Sequence, residues 1–401
     1  MKENTLPDGW EVKKLKEVIV KTKNVNPKTS SFDEFTYIDI SAVDKSLQEI
    51  VSPKTVQSLE APSRAKKSIE INDILFATTR PNLKNIAIVS ISYDFPIAST
   101  GFCVIRTNNE TDNRYVFYYL TSDFLQEQIE PKIRGAQYPA ISDKDLKGIF
   151  IPIPSLEEQK RIVAKIDTLF AKIDKAISLT EESLVQGKNL LPSVLKEVFE
   201  KGKADGWEEK KLGEIAFLKS GSTPRRSNKS YWEGGTIPWL KSGELNDSME
   251  IKENSEFISE IALDETSVKL FTKDTLLIAM YGATAGKLGI LSIDATTNQA
   301  VCSIQNKKEM FNNHFMFYFL YSIREKIISD SFGGAQPNIS KTYLENLSLY
   351  IPNLSAQEEL ASLCDELSIK AKQTQSKLEE QLAYLKQLKS SILSKAFKGE
   401  L

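Results

Sequence analysis

Histidine is nearly missing from this sequence: His314 stands alone among 401 residues. That scarcity removes most nucleophile–histidine–acid triads. The setting of His314, Phe311-Asn312-Asn313-His314-Phe315-Met316-Phe317-Tyr318-Phe319, is aromatic and gives it a structural or surface role. Cysteine is almost as sparse. Cys103, Cys302 and Cys364 lie far apart, matching no CxxC or zinc spacing and no disulfide framework, so they read as small buried hydrophobes of a reducing compartment. No run approaches the ~20 apolar residues that a bilayer needs. The opening Met1-Lys2-Glu3-Asn4-Thr5-Leu6-Pro7 lacks the apolar core of a signal peptide, so the expectation is a cytoplasmic protein with no membrane contact. A charge excess is missing too. With 52 basic and 54 acidic side chains the formal net charge is −2, and attraction to a polyanion must come from local basic patches.

What is present is an ordinary globular composition, 41% hydrophobic and 26% charged, on a chain long enough to bury sizeable cores. Motifs that carry chemistry are scarce. Gly282-Ala283-Thr284-Ala285-Gly286-Lys287-Leu288 has one residue too few between its glycines for a phosphate loop, and a leucine where a magnesium-binding hydroxyl is needed. Nucleotide hydrolysis is therefore rejected. The sequence also contains no HExxH zinc motif, no Rossmann glycine fingerprint and no Asn-Pro-Pro-aromatic methyltransferase pocket.

The most informative feature is a duplication, which sets the domain plan before any motif is interpreted. Asp8-Gly9-Trp10-Glu11 with Lys13-Lys14-Leu15 returns as Asp205-Gly206-Trp207-Glu208 with Lys210-Lys211-Leu212. Gly135-Ala136-Gln137-Tyr138-Pro139-Ala140-Ile141-Ser142 returns, one residue shorter, as Gly334-Ala335-Gln336-Pro337-Asn338-Ile339-Ser340. Cys103 and Cys302 are equivalents in apolar runs that read as buried strands, which favours packing over chemistry for both. Asp73-Ile74-Leu75-Phe76-Ala77 and Asp274-Thr275-Leu276-Leu277-Ile278-Ala279 are a further strand pair. The aromatic runs from Tyr115 and from His314 are helices whose rings face the core. Each half then closes on a proline-punctuated strand, around Pro152 or Pro352, and enters a long helix capped by Ser155 or Asn353.

The first long helix has a heptad stripe of Val163, Phe170, Ile177, Leu184, Leu191 and Val198, with Ile166, Ile173 and Val194 on the companion seam. At ~1.5 Å per residue, a helix from Leu156 to Glu200 is on the order of 65 Å long, too long for one small globule. Its stripe must be buried along its length. Thr180 and Gly187 interrupt the seam, and Pro192 predicts a kink. The C-terminal stretch carries Leu360, Leu363 and Leu367, then, past a polar middle, Leu378, Leu382, Leu385, Leu388 and Ile392. Antiparallel pairing of these helices within the chain is the expected arrangement, with a pseudo-two-fold axis; docking of another protein or a second copy on the same stripes stays open. The fold class is α+β, with two mostly-β globules over residues 1–154 and 204–353 and long helices over residues 155–203 and 354–401.

Two basic loops remain, and they differ between the halves. The first half has Arg64, Lys66 and Lys67, then Arg80, Asn82 and Lys84. The second has Thr223, Arg225, Arg226 and Lys229 in a run rich in serine and ending at Tyr231-Trp232. Arginine and lysine interleaved with serine, threonine and asparagine supply phosphate contacts and donors for base edges. A solvated face is the plainer alternative for any one such run.

Taken together, these residues resemble the specificity subunit of type I restriction-modification systems over essentially the whole chain. The most specific segments are Gly206-Trp207 through Gly213-Glu214, Ser220-Gly221-Ser222-Thr223-Pro224 with Ile237-Pro238-Trp239, and Ile151-Pro152-Ile153-Pro154 running into Glu158-Gln159. The resemblance implies two target-recognition domains, each reading half of a bipartite, asymmetric site in double-stranded DNA, with the long helices as spacer. It implies no catalytic centre, metal or cofactor in this chain. Two modification subunits would bring S-adenosylmethionine and methylate adenine, and restriction subunits would bring ATP and magnesium. The residues that match DNA-facing loops are Arg64, Lys66, Lys67, Arg80 and Asn82 in the first half, and Thr223, Arg225, Arg226, Lys229, Lys241, Tyr281 and Thr284 in the second; Gln137 and Gln336 are added because an amide can read adenine. Two other classes compete: a coiled-coil scaffold without DNA specificity, and a chain with its own nuclease or methyltransferase activity.

Overall fold

A computed structural model describes residues 6–331 and 338–401 of the chain. The protein divides into two compact units, Met1–Glu181 with Glu380–Leu401, and Glu182–Glu379.

The first unit contains β1 (Glu11–Lys14), β2 (Ile19–Val20), β3 (Glu34–Ile38), β4 (Lys54–Gln57), β5 (Ala65–Ser68), β6 (Ile74–Ala77), β7 (Ile86–Ile88), β8 (Ile97–Ser99) and β9 (Phe102–Thr107). Helices α1 (Asn113–Thr121) and α2 (Asp123–Ile129) follow, then β10 (Phe150–Ile153) and the long α3 (Leu156–Ala204), of which the turns up to Glu181 belong to this unit. Two four-stranded sheets, ordered β4-β3-β8-β5 and β2-β9-β6-β7, face each other, and β1 pairs antiparallel with β10. Side chains alternate across a strand. Leu75 and Ala77 of β6 therefore enter the core between the sheets with Ile38, Ala98 and Val104, while Ile74 and Phe76 face a second core with Cys103, Tyr115 and Tyr119. Burial on both faces is why these strands read as continuous apolar runs.

The second unit repeats the plan with β11 (Glu208–Lys211), β12 (Ala216–Ser220), β13 (Ile237–Leu240), β14 (Ser248–Ile251), β15 (Glu256–Ile258), β16 (Leu276–Ala279), β17 (Leu288–Leu291), β18 (Thr296–Thr297) and β19 (Val301–Asn306). Helices α4 (Asn313–Ser322) and α5 (Arg324–Ser329), strand β20 (Ser348–Ile351) and the long α6 (Leu354–Lys398), of which the turns up to Glu379 belong to this unit, complete it. Its sheets run β12-β19-β16-β17-β14 and β15-β13-β18, and β11 pairs with β20. Leu277 and Ala279 join the core between the sheets; Leu276 and Ile278 face the aromatic helix α4.

Within the first unit, the opening turns of α3 (Ile162, Val163, Ile166, Ile173) share a core with the last turns of α6 (Ile392, Leu393, Ala396, Phe397). Within the second, the last turns of α3 (Leu195, Phe199) share one with the opening turns of α6 (Ala361, Cys364). The long helices therefore run antiparallel and pair within the chain, as expected. The expected caps are also in place: Ser155 Oγ accepts from the Glu158 N–H at 3.3 Å and Asn353 Oδ1 from the Ala356 N–H at 3.0 Å.

The stripe is not buried along its whole length. Phe170, Ile177, Leu184, Leu191, Val194, Val198, Leu378, Leu382, Leu385 and Leu388 are half-buried, and the deepest residues at the end of α3 are Leu195 and Phe199, one position on from the heptad. The 3.6-residue turn drifts against a strict repeat of seven, so the contact face rotates along so long a helix. For the same reason Leu363 is 60% exposed while Ala361 and Cys364 are buried. Thr180 does not open the seam: it is buried, and its hydroxyl donates to the Ala176 carbonyl at 2.8 Å. Helix α3 continues through Pro192 as one element.

Candidate nucleic-acid interface

In the first unit the basic residues lie at the start of β5 (Arg64), within it (Lys66, Lys67) and just past the end of β6 (Arg80). The β6–β7 connection, residues 78–85, is tied to the Gly-Ala-Gln segment by backbone: the Ile141 N–H donates to the Thr78 carbonyl at 2.9 Å and the Arg80 N–H to the Pro139 carbonyl at 2.7 Å. Arg64, Arg80, Asn85 and Tyr138 line one cleft with Ile40, Leu83 and Pro139. Arg64 and Arg80 are exposed there, and Asn82 and Gln137 are exposed on the two connections beside it. The other two lysines are more constrained. Lys67 forms an ion pair with Asp143 at 2.7 Å and its side chain is only 18% exposed, while Lys66 Nζ donates to Asn26 Oδ1 at 3.3 Å.

In the second unit the segment after β12 folds against β13. Ser222, Thr223, Pro224, Arg225, Ser227, Asn228 and Tyr231 line an open cleft of about 520 Å³. Thr223 Oγ1 donates to Gln299 Oε1 at 2.5 Å. The two adjacent arginines have different surroundings. The Arg226 guanidinium lies 3.8 Å from the Trp232 ring centre and 4.8 Å from that of Trp239, and it pairs with Glu256. Lys241 Nζ binds the other oxygen of the same carboxylate at 2.6 Å. The bonds from Arg226 and then Lys241 hold the Glu256 carboxyl below the usual carboxylate range. Arg225 is exposed and has no carboxylate partner among the described residues. Lys229 is exposed and reaches Glu233 at 3.5 Å.

Tyr281 and Thr284 lie in the β16–β17 connection, which corresponds to residues 78–85 of the first unit. Tyr281 is 39% exposed and bridges to Asn338, the place that Thr79 and Ala140 occupy in the first unit. Thr284 Oγ1 lies 3.1 Å from Ser242 Oγ. Gln336 falls outside the described residues. Only the β6–β7 and β16–β17 connections, with Arg80 and Asn82 in one unit and Tyr281 and Thr284 in the other, correspond between the units, and they differ at every position. Arg64, Lys66 and Lys67 lie at β5, whereas Thr223, Arg225, Arg226 and Lys229 follow β12, the counterpart of β2. Sequence reading missed two participants. Glu256 has no signal of its own, since nothing in the sequence shows that it faces Arg226. Tyr138 had one: it is the extra residue of the first Gly-Ala-Gln segment.

The buried thiols stand apart from these surfaces. Burial pushes both Cys103 and Cys302 up to about 12, so neither is a thiolate at neutral pH. His314 bridges α4 to α6 through Asp365, 2.7 Å from Nδ1 to Oδ2.

A family model described as the type I restriction modification DNA specificity domain matches the chain twice, at residues 7–181 and 204–384. Among curated proteins, the putative type I restriction enzyme MjaX specificity subunit of Methanocaldococcus jannaschii is 25% identical, covering 92% of this chain and 90% of its own. The StySPI specificity subunit of Salmonella potsdam is 24% identical over 100% of this chain and 91% of its own. Among solved structures, a chain from work on complex assembly and conformational transition of the type I R-M system superposes with a TM-score of 0.86 at 32% identity, covering 99% of both chains. The HsdS subunit from Thermoanaerobacter tengcongensis gives a TM-score of 0.72, also at 32% identity, covering 99% of this chain and 98% of its own.

Proposed function

The chain belongs to the type I restriction-modification DNA specificity family, and on that premise we propose that each of its units reads one half of a bipartite, asymmetric DNA site. One observation carries the reading: a single chain holds two copies of the recognition domain whose cation-bearing connections, 78–85 and 280–287, share a backbone plan and no side-chain pattern. Identical connections would read a symmetric site; unlike ones read two different half-sites. Arg64, Arg80, Asn82 and Gln137 are the candidate contacts of the first unit, and Thr223, Arg225, Lys229, Tyr281 and Thr284 those of the second. Lys67, Arg226 and Lys241 brace these surfaces through Asp143 and Glu256.

The paired long helices act as the spacer. Half-sites on one face of a duplex lie about 34 Å apart per helical turn, so spacer length is a geometric property of the reader. Two modification subunits dock on the chain and bring S-adenosylmethionine for adenine methylation; restriction subunits bring ATP and magnesium. In this division of labour the chain selects the site in the cytoplasm and performs no chemistry.

The test is genome-wide adenine methylation in cells that carry the modification partner with and without this chain. One bipartite methylated motif should appear with the chain, and replacing residues 1–150 by those of a relative should change only one half of it. Methylation that is unchanged when the chain is removed would overturn the reading and favour the scaffold.

A further inference from the structure

The β6–β7 and β16–β17 connections are equal in length and in step: Phe76 pairs with Ile86 as Ile278 pairs with Leu288. Arg80 thus occupies the place of Gly282, and Lys84 that of Gly286. All four backbones are left-handed, with φ of +50° and +53° for Arg80 and Lys84 and +68° and +80° for the glycines. Glycine adopts this conformation freely, whereas an L side chain there crowds its own carbonyl. The first unit thus places two cationic side chains where the fold suits glycine.

Lys84 has its reason inside the fold. Its Nζ donates to the Thr121 carbonyl at 2.9 Å and lies 3.3 Å from Asp123 Oδ1. In the second unit Arg324 fills that role from the helix side, donating from Nε to the Gly286 carbonyl at 2.8 Å. Arg80 has no such reason. Its guanidinium has no carboxylate and no hydrogen-bond acceptor among the described residues, and its one neighbour of note is the Tyr138 ring, 5.7 Å from Cζ to the centroid. Tyr138 is 69% exposed and is the residue by which this segment exceeds its counterpart. Two departures of the first unit from the second, Arg80 and the added Tyr138, therefore meet, lining a cleft of about 480 Å³.

We propose that Arg80 and Tyr138 form a guanine-reading pair in the first half-site, Arg80 donating to guanine O6 and N7 and Tyr138 holding the guanidinium plane. This rests on the functional reading above. An unpaired guanidinium fork matches that acceptor pair in the major groove. The ring stands within cation–π range of it and favours a subset of its orientations, so less freedom is lost when both donors bind. Arg80 is the contact; Tyr138 is a positioning residue.

The experiment uses the full chain assembled with its modification subunits, methylating a DNA library randomised over the first half-site. Arg80→Gly supplies the residue that the other unit carries, so this variant should unfold no earlier than wild type. Its preference at one G·C pair of the first half-site should fall on the order of ten- to a hundredfold, with the second half-site and the salt slope unchanged. Tyr138→Ala should lose part of the same preference and Tyr138→Phe should restore it. Wild-type preferences at every position in Arg80→Gly would overturn the assignment, as would a loss at an A·T pair. A uniform loss of affinity with a shallower salt slope would also overturn it, because that is the mark of a phosphate contact. A wild-type complex without any sequence preference would instead fell the functional reading itself.

Discussion

Gln159 and Gln357 occupy the same place in the two units and make the same three hydrogen bonds. Gln159 accepts from the Asp112 N–H at 2.9 Å and donates to the carbonyls of Pro154 and Glu110 at 2.9 and 3.3 Å. Gln357 accepts from the Asn312 N–H at 2.9 Å and donates to the carbonyls of Pro352 and Met310 at 2.9 and 3.5 Å. Both are buried. A buried amide satisfied at both ends locks the start of a long helix to the start of an aromatic one, and a partly satisfied substitute would be costly. Elsewhere the same places hold different chemistry. Asp73 and Arg106 of the first unit form a bidentate pair, at 2.7 Å through Nε and 2.8 Å through Nη2, where the second unit has Thr275 and Gln305. The comparison separates two demands. The frame that positions the loops is kept in kind; charged groups are free to change wherever the backbone closes without them.

The sharpest way to break that comparison is at Asp73, which is fully buried and also accepts from the Glu70 N–H at 2.8 Å. Asp73→Ala leaves Arg106 without its bidentate partner. The expected loss is about 3 kcal/mol, the low end for breaking a buried pair, since Arg106 is 25% exposed and keeps Glu70 at 2.7 Å. Thr275→Ala in the second unit should cost under about 1 kcal/mol. Urea unfolding of each variant, with hydrogen exchange to place the loss in β6 and β9, checks both values. Equal losses would show that the ion pair is no more than the threonine it replaces.

A smaller effect, read in DNA binding, separates Arg225 from Arg226. Arg225 is exposed, with no carboxylate partner among the described residues, and should act as a phosphate or base contact, so Arg225→Ala should lower affinity and reduce the salt slope by about 1 if the contact is a phosphate. Arg226 is held by two tryptophans and Glu256. Arg226→Ala should leave the salt slope nearly unchanged while lowering preference in the second half-site, through a loosened segment. Cation–π contact at a partly exposed site contributes about 0.5–1 kcal/mol. Titrations at several salt concentrations decide it; a slope change as large as that of Arg225→Ala would make Arg226 a DNA contact.

Much of the frame was legible before the structure. Cys103 and Cys302 sit in strands buried on both faces, and such strands announce themselves as apolar runs whatever their partners. The proline-punctuated strand and following cap gave the helix starts at Ser155 and Asn353, because those signals are local. The phase of a long stripe was less legible, as Leu363 and Leu195 show: a few degrees of drift per turn exchange neighbours between the buried and exposed faces, and composition does not record the drift. The loops were legible only as charge. Lys67 and Asp143 are 76 residues apart, and Arg226 and Glu256 are 30 apart, so which cations are free to meet DNA depends on pairings that the fold alone creates.

The smallest expected effect lies at the junction that holds the lone histidine. In the first unit Arg114 Nη2 donates to Asp167 Oδ1 at 2.6 Å, and the Tyr118 hydroxyl donates to the same oxygen at 2.5 Å. In the second, His314 replaces the arginine beside Asp365, and the Tyr318 hydroxyl donates to Asp365 Oδ1 at 2.8 Å. Burial, and then the bond to the carboxylate, raises both phenols, so each tyrosine remains a donor at neutral pH. The pairs themselves are open to water, with side chains 50% and 28% exposed in the first unit and 42% and 33% in the second. Exposed pairs contribute about 0–1 kcal/mol. His314→Arg should therefore change the unfolding free energy, measured by urea titration, by less than about 1 kcal/mol in either direction and leave methylation specificity untouched. A change above about 2 kcal/mol would mean that the histidine, unlike its counterpart, is part of the frame, and that the second unit joins α4 to α6 by a different device from the one that joins α1 to α3.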